Sequence, residues 1–212
     1  MLRFYFGVMG SSKSAMLLMQ RYNYIELGHC VALVKPAIDT RIDREIVYSR
    51  VGLQARADIV AAAEDDIVEQ IQWFEAAQGA RLQHVFVDEA QFLSERQVIA
   101  LAGIAPELEV HCYGLKTDFR GNFFPGAQAL LRFADVLQEV EASLCWCGSK
   151  AIMNTRIDQH GRVVKEGEQV LIDDGTKISY VGLCYQHWQQ GLSRPVRAVP
   201  DASPRNRKKP RA

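Results

Sequence analysis

The amino-acid sequence predicts an α/β protein in which helices cover a parallel sheet, followed by a small β module. Up to about residue 140, apolar strand-like runs alternate with segments of helical period. Beyond that point, short strand-like pieces are separated by Gly, Asp and charged turns. We therefore expect an α/β domain over 1–140, a β module over 141–193 and a basic tail over 194–212.

Strands and helices follow one another in order through the first part of the chain. The predicted elements are a strand over 2–8, a helix over 13–27, a strand over 30–34, a helix over 58–77, a strand within 82–90, a helix after Ser94, a strand over 107–115 and a helix over 126–140. Gly28 occupies the position that commonly follows a helix, and Ser94 with Gln97 forms a capping box. The helix over 58–77 rests on apolar residues recurring at spacings of four and three.

Composition narrows the class of protein. With 48% hydrophobic residues the chain is not of disordered composition, and no apolar run approaches the roughly 18 residues that span a bilayer. The N-terminus shows neither a basic n-region nor a small-residue cleavage site, so we expect a cytoplasmic protein that does not enter membranes. An odd number of cysteines, five, argues against a disulfide framework. His84 and His111 lie in strand patterns, where we expect structural roles.

Charge is distributed unevenly along the chain. The formal net charge is zero, yet residues 194–212 hold seven of the 25 Lys and Arg and only one of the 25 Asp and Glu. The first 193 residues therefore carry 18 basic and 24 acidic side chains, a net charge of −6. A Pro-rich basic segment without apolar periodicity is most simply a disordered end, and contact with nucleic acid or a membrane surface is the alternative.

Residues 7–14, GVMGSSKS, match the phosphate-loop pattern G-x-x-x-x-G-K-[ST] except at Ser12, which replaces the second glycine. Gly7 permits a tight exit from the strand, Lys13 would reach the β and γ phosphates, and Ser14 would place its hydroxyl on Mg²⁺. A serine in left-handed backbone costs about 1–2 kcal/mol, which weakens such a loop without abolishing it. A Gly- and Ser-rich turn that binds no ligand is the alternative.

The run VFVDEAQF supplies a second part of a nucleotide site. Asp88 and Glu89 follow an apolar strand, and ligands of parallel sheets bind outside the carboxyl ends of the strands. Asp88 is suited to a magnesium ion, and Glu89, facing the cleft, to accept the proton of an attacking hydroxyl. A solvated strand end is the alternative interpretation.

Two short motifs in the β module indicate a metal site. Cys145 and Cys147 form a C-x-C pair, and Cys184 and His187 form a C-x-x-H pair, with 36 residues between the two. Thiolate and imidazole donors in this number suit tetrahedral, structural zinc, which would hold together a module too small for its own core. Chance clustering, or a redox pair at Cys145 and Cys147, is the alternative.

In their order and spacing these motifs resemble the type II thymidine kinases, the family of the cytosolic cellular enzyme and its bacterial counterparts. The resemblance covers residues 2 to about 190 and rests on the N-terminal loop, DEAQF, LKTDFRGNFF and the C-terminal metal motifs. It implies a P-loop NTPase-type domain followed by a zinc-stapled β module with a lasso loop. It also implies Mg²⁺-dependent transfer of the γ-phosphoryl group of ATP to the 5′-hydroxyl of thymidine or deoxyuridine, in nucleotide salvage for DNA synthesis.

The resemblance further implies roles for individual residues. Glu89 matches the catalytic base. The residues that match nucleotide and magnesium positions are Gly7, Val8, Met9, Gly10, Ser11, Ser12, Lys13, Ser14, Asp39, Arg41, Asp88 and Gln91. The residues that match those enclosing the base, including the tyrosine of the lasso, are Met9, Leu115, Phe119, Phe124, Val170, Ile172 and Tyr180. The residues that match the zinc ligands are Cys145, Cys147, Cys184 and His187.

The family pattern also implies a homotetramer and feedback inhibition by thymidine triphosphate. The sequence departs from the pattern at Ser12, at Ala15, where threonine is usual, and at Asp173 and Asp174, which replace a glycine pair in the lasso. These departures bear on affinity and regulation more than on the fold.

Two further hypotheses belong to other functional classes. One is a nucleotide-binding regulatory protein of the same fold with weakened or lost catalysis, motivated by Ser12 and by Asp173 and Asp174. The other is a nucleic-acid motor, suggested by the DEAQ string and the basic tail, although 212 residues are too few for a second motor lobe.

Overall fold

The structure is a computed structural model that describes residues 1–39, 43–140, 143–169 and 178–193. The strands are β1 (Leu2–Phe6), β2 (Val31–Pro36), β3 (Ile46–Tyr48), β4 (Gln54–Arg56), β5 (Ile59–Ala61), β6 (His84–Val87), β7 (Glu109–Gly114), β8 (Val136–Glu139), β9 (Met153–Ile157), β10 (Val163–Val164) and β11 (Ser179–Leu183). The helices are α1 (Lys13–Glu26), α2 (Ile67–Gln78), α3 (Glu95–Ile104), α4 (Pro125–Phe133) and α5 (Tyr185–Gln190). The residues singled out above that lie outside the described ranges are Arg41, Val170, Ile172, Asp173, Asp174 and the tail 194–212.

Six strands form one sheet in the order β5-β2-β6-β7-β1-β8, and all neighbours are parallel. The central strands are almost entirely buried, as expected when helices cover both faces of a parallel sheet. The predicted class, α/β with a parallel sheet, is confirmed. This topology places the loop after β1 and the acidic pair after β6 at the same edge, outside the carboxyl ends of the strands.

The two faces of the sheet pack against different helices. Successive strand residues point to opposite faces, so Phe4 and Tyr5 belong to separate core clusters. On the side of Phe4, Ile71 of α2 and Leu101 of α3 complete the larger core, together with residues of α4. On the side of Tyr5, Leu17 of α1 covers the sheet. Among the helices that the structure describes, α1 is the one whose residues join this cluster, and it begins directly after the loop.

The predicted helix over 58–77 is wrong over its first nine residues, 58–66. Residues 59–61 form β5, an edge strand beside β2, and α2 begins at Ile67. Asp66 caps α2 because its carboxylate accepts two backbone N–H groups of the first turn. Ile59 and Ala61 are buried, and their alternation fits a strand as well as their spacing fitted a helix.

The predicted helix over 126–140 is wrong in its second part. α4 ends at Phe133, and residues 136–139 run parallel to β1 as the other edge strand of the sheet. Asp135 starts this strand, since its carboxylate accepts the Leu2 N–H at 2.7 Å. The predicted capping box is confirmed, with both the Ser94 and the Gln97 bonds present at the start of α3.

Two smaller sheets complete the described structure. β3 and β4 form an antiparallel hairpin, for which the sequence pattern indicated no element. In the β module, β10, β9 and β11 form an antiparallel sheet, followed by the short helix α5. Short strands were expected in this module, whereas α5 was not.

Three histidines form a row beneath α1. His29 Nδ1 lies 2.9 Å from His84 Nε2, and His84 Nδ1 lies 3.4 Å from His111 Nε2. Tyr24 stacks on His84 with ring centroids 3.8 Å apart, and Phe86 stacks on His111 at 4.6 Å. Burial, with a smaller contribution from neighbouring positive groups, lowers the pKa of His111 to about 3. His111 is therefore a neutral, packed side chain at physiological pH.

We expect acid to destabilise the protein through His111. Because its pKa is lowered in the folded chain, the unfolded chain binds a proton below pH 6.5 that the folded chain excludes. The stability present above pH 6.5 is lost progressively as the pH falls toward 3, by about 1.4 kcal/mol at pH 5.5. Urea unfolding measures the free energy of unfolding at pH 7.5 and at pH 5.5. The decrease between the two pH values should be smaller by that amount in His111→Asn than in the wild type. His160→Asn, on an exposed turn, is the control, and equal drops in the wild type and His111→Asn would contradict the prediction.

Candidate active site

A tight loop joins β1 to α1 at the carboxyl edge of the sheet. A Cβ at Gly7 would stand 2.6 Å from Ser11 Oγ and 2.9 Å from the Val140 carbonyl oxygen, so only glycine fits there. Gly10 (φ 82°) and Ser12 (φ 62°) both take left-handed backbone. Ser12 thus adopts the conformation for which the phosphate-loop pattern supplies a glycine, and α1 begins at the next residue.

We expect Ser12→Gly to preserve the loop and Ser12→Val to disrupt it. Glycine takes φ 62° without strain, whereas a β-branched residue rarely adopts left-handed backbone. ATP affinity of the glycine variant should stay within about threefold of the wild type, and that of the valine variant should fall at least about tenfold, or 1.4 kcal/mol. Calorimetric titration with ATP measures both. Equal affinities in the two variants would show that backbone strain at this position is immaterial.

Lys13 lies across the loop, beside its backbone. Its Nζ donates to the carbonyl oxygens of Gly7 at 3.1 Å and Val8 at 2.9 Å, and to Ser11 Oγ at 3.3 Å. The side chain is 9% exposed, so the ammonium is held within the loop. An ammonium beside the N–H groups of a helix N-terminus is an arrangement that attracts phosphate.

Ser14 and Asp88 connect the start of α1 to the end of β6. Ser14 Oγ lies 3.1 and 3.0 Å from the two carboxylate oxygens of Asp88, which is 4% exposed. A hydroxyl and a carboxylate are hard oxygen donors of the kind that magnesium prefers. These residues therefore fit a magnesium site, and they are the ones that would hold the ion.

Glu89 occupies an unusual backbone position beside Asp88. Its φ of 48° and ψ of 39° are left-handed, an uncommon conformation for a residue other than glycine. Its carboxylate accepts a hydrogen bond from Gln91 Nε2 at 2.5 Å, and Gln91 Oε1 accepts the Leu115 N–H at 2.9 Å. The second bond fixes which end of the amide faces Glu89. Backbone strain and a fixed neighbour together hold a carboxylate at the cavity wall.

These groups share a cavity of about 290 Å³. Its walls come from the loop, the start of α1, the ends of β2 and β6, and the hairpin formed by β3 and β4. The charged side chains that line it are Lys13, Lys35, Asp39, Arg50, Asp88 and Glu89. The carboxylate of Asp39 lies 3.4 Å from Lys35 Nζ. Arg41, which the family resemblance also assigns to the nucleotide, falls outside the described residues.

Five of the residues expected to enclose a base lie in the described ranges, and they occupy different surroundings: Leu115, Phe119 and Phe124 are buried, whereas Met9 and Tyr180 are half-buried. Leu115 and Met9 line the cavity. Phe119 lies under the guanidinium of Arg156, 3.7 Å from ring centroid to Cζ. Phe124 packs in the larger core. The structure therefore brings two of the expected base contacts to the phosphate cavity itself.

Arg156, almost fully buried at 1% exposure, links Phe119 to the predicted lasso. Its Nε donates to the Tyr180 hydroxyl at 3.0 Å, and its Nη2 donates to the Glu168 carbonyl at 2.9 Å. Residues 168 and 180 flank the segment that contains Val170 and Ile172, both outside the described residues. Phe119 and Tyr180, two of the expected base contacts, thus share Arg156 as a common neighbour.

The β module is bonded directly to the loop. Asn154 of β9 accepts the Met9 N–H at 2.7 Å and donates to the Thr117 carbonyl at 2.6 Å. Trp188 of α5 donates from Nε1 to the Phe119 carbonyl at 3.0 Å. The position of the loop and of the segment around Phe119 therefore depends on this module.

Cys145, Cys147, Cys184 and His187 form a compact cluster, with their donor atoms within 4.8 Å of one another. His187 Nδ1 lies 3.3 Å from the sulfur atoms of both Cys145 and Cys184. Hydrogen bonds from the side chain and backbone of Ser149 lower the pKa of Cys147 to about 6, which favours the thiolate that binds metal. Three sulfurs and one imidazole fit structural zinc. Cys184 caps the start of α5, and His187 lies in its first turn.

Comparison with known proteins decides the family. A family model described as thymidine kinase matches residues 1–188. The chain belongs to the thymidine kinase family. This confirms the resemblance drawn from the motifs.

Curated thymidine kinases align along most of their length. The thymidine kinase of Legionella pneumophila (strain Philadelphia 1) is 44% identical over 192 residues, 90% of each chain. That of Rhizobium meliloti is 44% identical over 193 residues, 90% of this chain and 97% of the relative. That of Enterobacteria phage T4 is 44% identical over 189 residues, 88% of this chain and 94% of the relative. Among the described residues, no helix of this thymidine kinase is long and apolar enough to cross a bilayer.

Sequence reasoning missed several residues of this site in the thymidine kinase. Lys35 and Arg50 line the cavity, and Asn154 and Arg156 join the β module to the rest of the site. The sequence contained one signal for Lys35. It stands near the end of an otherwise apolar strand, and a buried lysine is rarely without a partner, which indicates a polar site nearby. Arg50, Asn154 and Arg156 offered none, because their contacts are distant in sequence.

Proposed function

We propose that this protein transfers the γ-phosphoryl group of ATP to the 5′-hydroxyl of thymidine, and also of deoxyuridine. The supporting observation is that Lys13, the Ser14–Asp88 pair and Glu89 all face one cavity at the carboxyl edge of the sheet. In that cavity Lys13 is a cation for the phosphate, the Ser14–Asp88 pair supplies oxygen ligands for its metal, and Glu89 is a base for the attacking hydroxyl. Membership of the family agrees with this assignment.

Glu89 has the part of general base in the reaction. The 5′-oxygen of the nucleoside bonds to the γ-phosphorus while the bond from that phosphorus to the β–γ bridging oxygen breaks. The hydroxyl proton passes to the Glu89 carboxylate, and the electron pair of the broken bond leaves with ADP. Lys13 and the loop N–H groups stabilise the phosphoryl group as it transfers.

We assign Ser14 and Asp88 to magnesium. Asp39 and Arg41 are assigned to positions beside the phosphates. The rest of the loop and Gln91 are assigned to the surroundings of the nucleotide. Magnesium, when bound, neutralises charge on the β- and γ-phosphate oxygens. The oxygen donors of Ser14 and Asp88, held about 3 Å apart at the cavity wall, support this assignment.

We assign the nucleoside to the side of the cavity that Met9 and Leu115 line. A flat apolar base is best bound between aliphatic and aromatic walls, with backbone groups reading its edge. We assign the aromatic wall to Phe119 and Tyr180, which both contact Arg156 of β9, the strand whose Asn154 accepts the Met9 N–H. Phe124, Val170 and Ile172 enter this assignment from the family resemblance.

The proposal also covers the role of zinc, the oligomeric state and the regulation of the protein. We assign zinc a structural role, because four protein donors leave no open position for substrate. A homotetramer in the cytoplasm, inhibited by thymidine triphosphate, follows from the resemblance. Met19 and Tyr22 are 58% and 59% exposed on α1, which supports a subunit contact on that helix. Nothing in the described residues favours the regulatory alternative over catalysis.

Incubation of the purified protein with ATP, Mg²⁺ and thymidine tests the proposal. Thymidine monophosphate and ADP should form in equal amounts, as measured by chromatography. Deoxyuridine should be accepted, and cytidine should serve as a negative control. No product above the background of a Glu89→Gln sample would overturn the proposal, and ATP hydrolysis stimulated by single-stranded nucleic acid instead would favour the motor.

A further inference from the structure

The hairpin formed by β3 and β4 carries a cation to the mouth of the phosphate cavity. Arg50 lies in the turn between the two strands and lines the cavity. A Cβ built on Gly10 would stand 3.8 Å from Arg50 Nη1, so the guanidinium lies against the tip of the loop. Neither the family motifs nor the spacing of the sequence assigns this residue a role.

The hairpin is anchored on both sides. Val47 of β3 is 1% exposed and packs in the same core cluster as Leu17 and Leu18 of α1. Lys35, at the end of β2, donates from Nζ to the carbonyl oxygens of Asp43 at 2.6 Å and Ile46 at 2.8 Å. A buried ammonium that bonds two backbone carbonyls fixes β3 against the main sheet. The hairpin therefore has a defined position over the loop.

The turn that holds Arg50 is closed by its own hydrogen bonds. The Ser49 N–H donates to the Leu53 carbonyl at 2.8 Å, and the Leu53 N–H donates to Ser49 Oγ at 3.0 Å. The Gly52 N–H donates to the Ser49 carbonyl at 2.9 Å, and its φ of 92° is one that glycine adopts without strain. Ser49 is 4% exposed, whereas Arg50 next to it is exposed. The backbone is thus fixed while the guanidinium extends freely into the cavity mouth.

Arg50 differs from the other cations of the cavity. Lys13 is held by loop carbonyls, and Lys35 by Asp39 and the hairpin backbone. Arg50 makes no hydrogen bond or ion pair to any residue that the structure describes. An arginine that is uncommitted beside a phosphate loop has its full set of donors available to an anion.

We propose that Arg50 is a catalytic residue that binds the transferring phosphoryl group, as a second cation beside Lys13 in the same cavity. This rests on the proposed phosphoryl transfer. As the bond to the γ-phosphorus breaks, negative charge develops on the bridging oxygen that leaves with ADP and remains on the three equatorial oxygens. A planar guanidinium contacts two such oxygens at once, which an ammonium does not. The hairpin supplies this group from within the same chain.

Arg50→Ala is the direct test, with Arg56→Ala as the matched control. Arg56 lies on the same hairpin, is 75% exposed, and pairs with Glu45 at 2.7 Å outside the cavity. We expect kcat of Arg50→Ala to fall about 100-fold, with the KM for thymidine within about threefold of the wild type. Arg50→Lys should recover about a tenth of the wild-type kcat, because it keeps the charge without the fork. Arg56→Ala should retain wild-type kinetics.

Two readouts separate the outcomes. A kcat for Arg50→Ala equal to that of Arg56→Ala would overturn the inference while the phosphorylation of thymidine stands. A raised KM for ATP at unchanged kcat would also overturn it, because it would indicate ground-state binding only. If the wild type does not phosphorylate thymidine, the proposed function fails, and the inference is then tested by ATP hydrolysis. Equal hydrolysis rates in the wild type and Arg50→Ala would overturn the inference. A hydrolysis rate about 100-fold lower in Arg50→Ala would support it. Circular dichroism should show the same fold in all variants.

Discussion

Glu89→Gln is expected to lower kcat for thymidine about 1,000-fold, because an amide has the size of a carboxylate and does not accept the 5′-hydroxyl proton. Glutamine and glutamate tolerate left-handed backbone equally, so the φ of 48° at this position should persist. The Gln91 amide, oriented by the Leu115 N–H, can still donate to the side-chain oxygen of the new glutamine. The loss should therefore appear in turnover rather than in folding.

The experiment compares kcat, KM and ATP affinity in Glu89→Gln and Glu64→Gln. Glu64 is exposed in the turn before α2, away from the cavity, and undergoes the same chemical change. ATP affinity of Glu89→Gln should stay within about threefold of the wild type, since removing a proton acceptor leaves phosphate binding in place. If Glu89→Gln keeps more than about a tenth of wild-type kcat, another group accepts the proton and the assignment of Glu89 is wrong.

The sequence predicted the parts of the site that are formed by short motifs of consecutive residues. The loop over 7–14 and the pair Asp88 and Glu89 are local patterns, and a parallel sheet brings the ends of its strands to one edge. Lys35, Arg50 and Asn154 could not be placed in this way. Their roles come from tertiary neighbours, such as the loop tip beside Arg50 and the Met9 N–H beside Asn154.

The errors in the fold have a common physical origin. Over 58–77 and 126–140, apolar residues at spacings of three and four were compatible with a helix throughout. A short edge strand has one neighbour and a few residues, so its period-two signal is easily hidden, as at β5 and β8. The boundaries were decided by single side chains, Asp66 as a cap and Asp135 as a partner of β1.

Loss of the zinc cluster is expected to weaken thymidine binding at a distance from the cluster. Cys184→Ser should lose bound zinc and lower the melting temperature by at least about 10 °C, because structural zinc contributes folding free energy to a module with little core of its own. Asn154 holds the Met9 N–H, and Trp188 holds the Phe119 carbonyl. When β9 and α5 loosen, the loop and the segment around Phe119 lose these bonds, so the KM for thymidine should rise as the fold weakens.

Cys30→Ser is the matched control for this prediction. Cys30 is half-buried ahead of β2, outside the cluster, so its loss should leave zinc content, melting temperature and kinetics unchanged. Metal analysis should give one zinc per chain in the wild type and in Cys30→Ser, and much less in Cys184→Ser. Full activity in a zinc-free Cys184→Ser protein would contradict the prediction, because it would mean that Asn154 and Trp188 keep their positions without the metal. The dependence of the KM for thymidine on zinc therefore measures how far the β module positions the loop that it contacts.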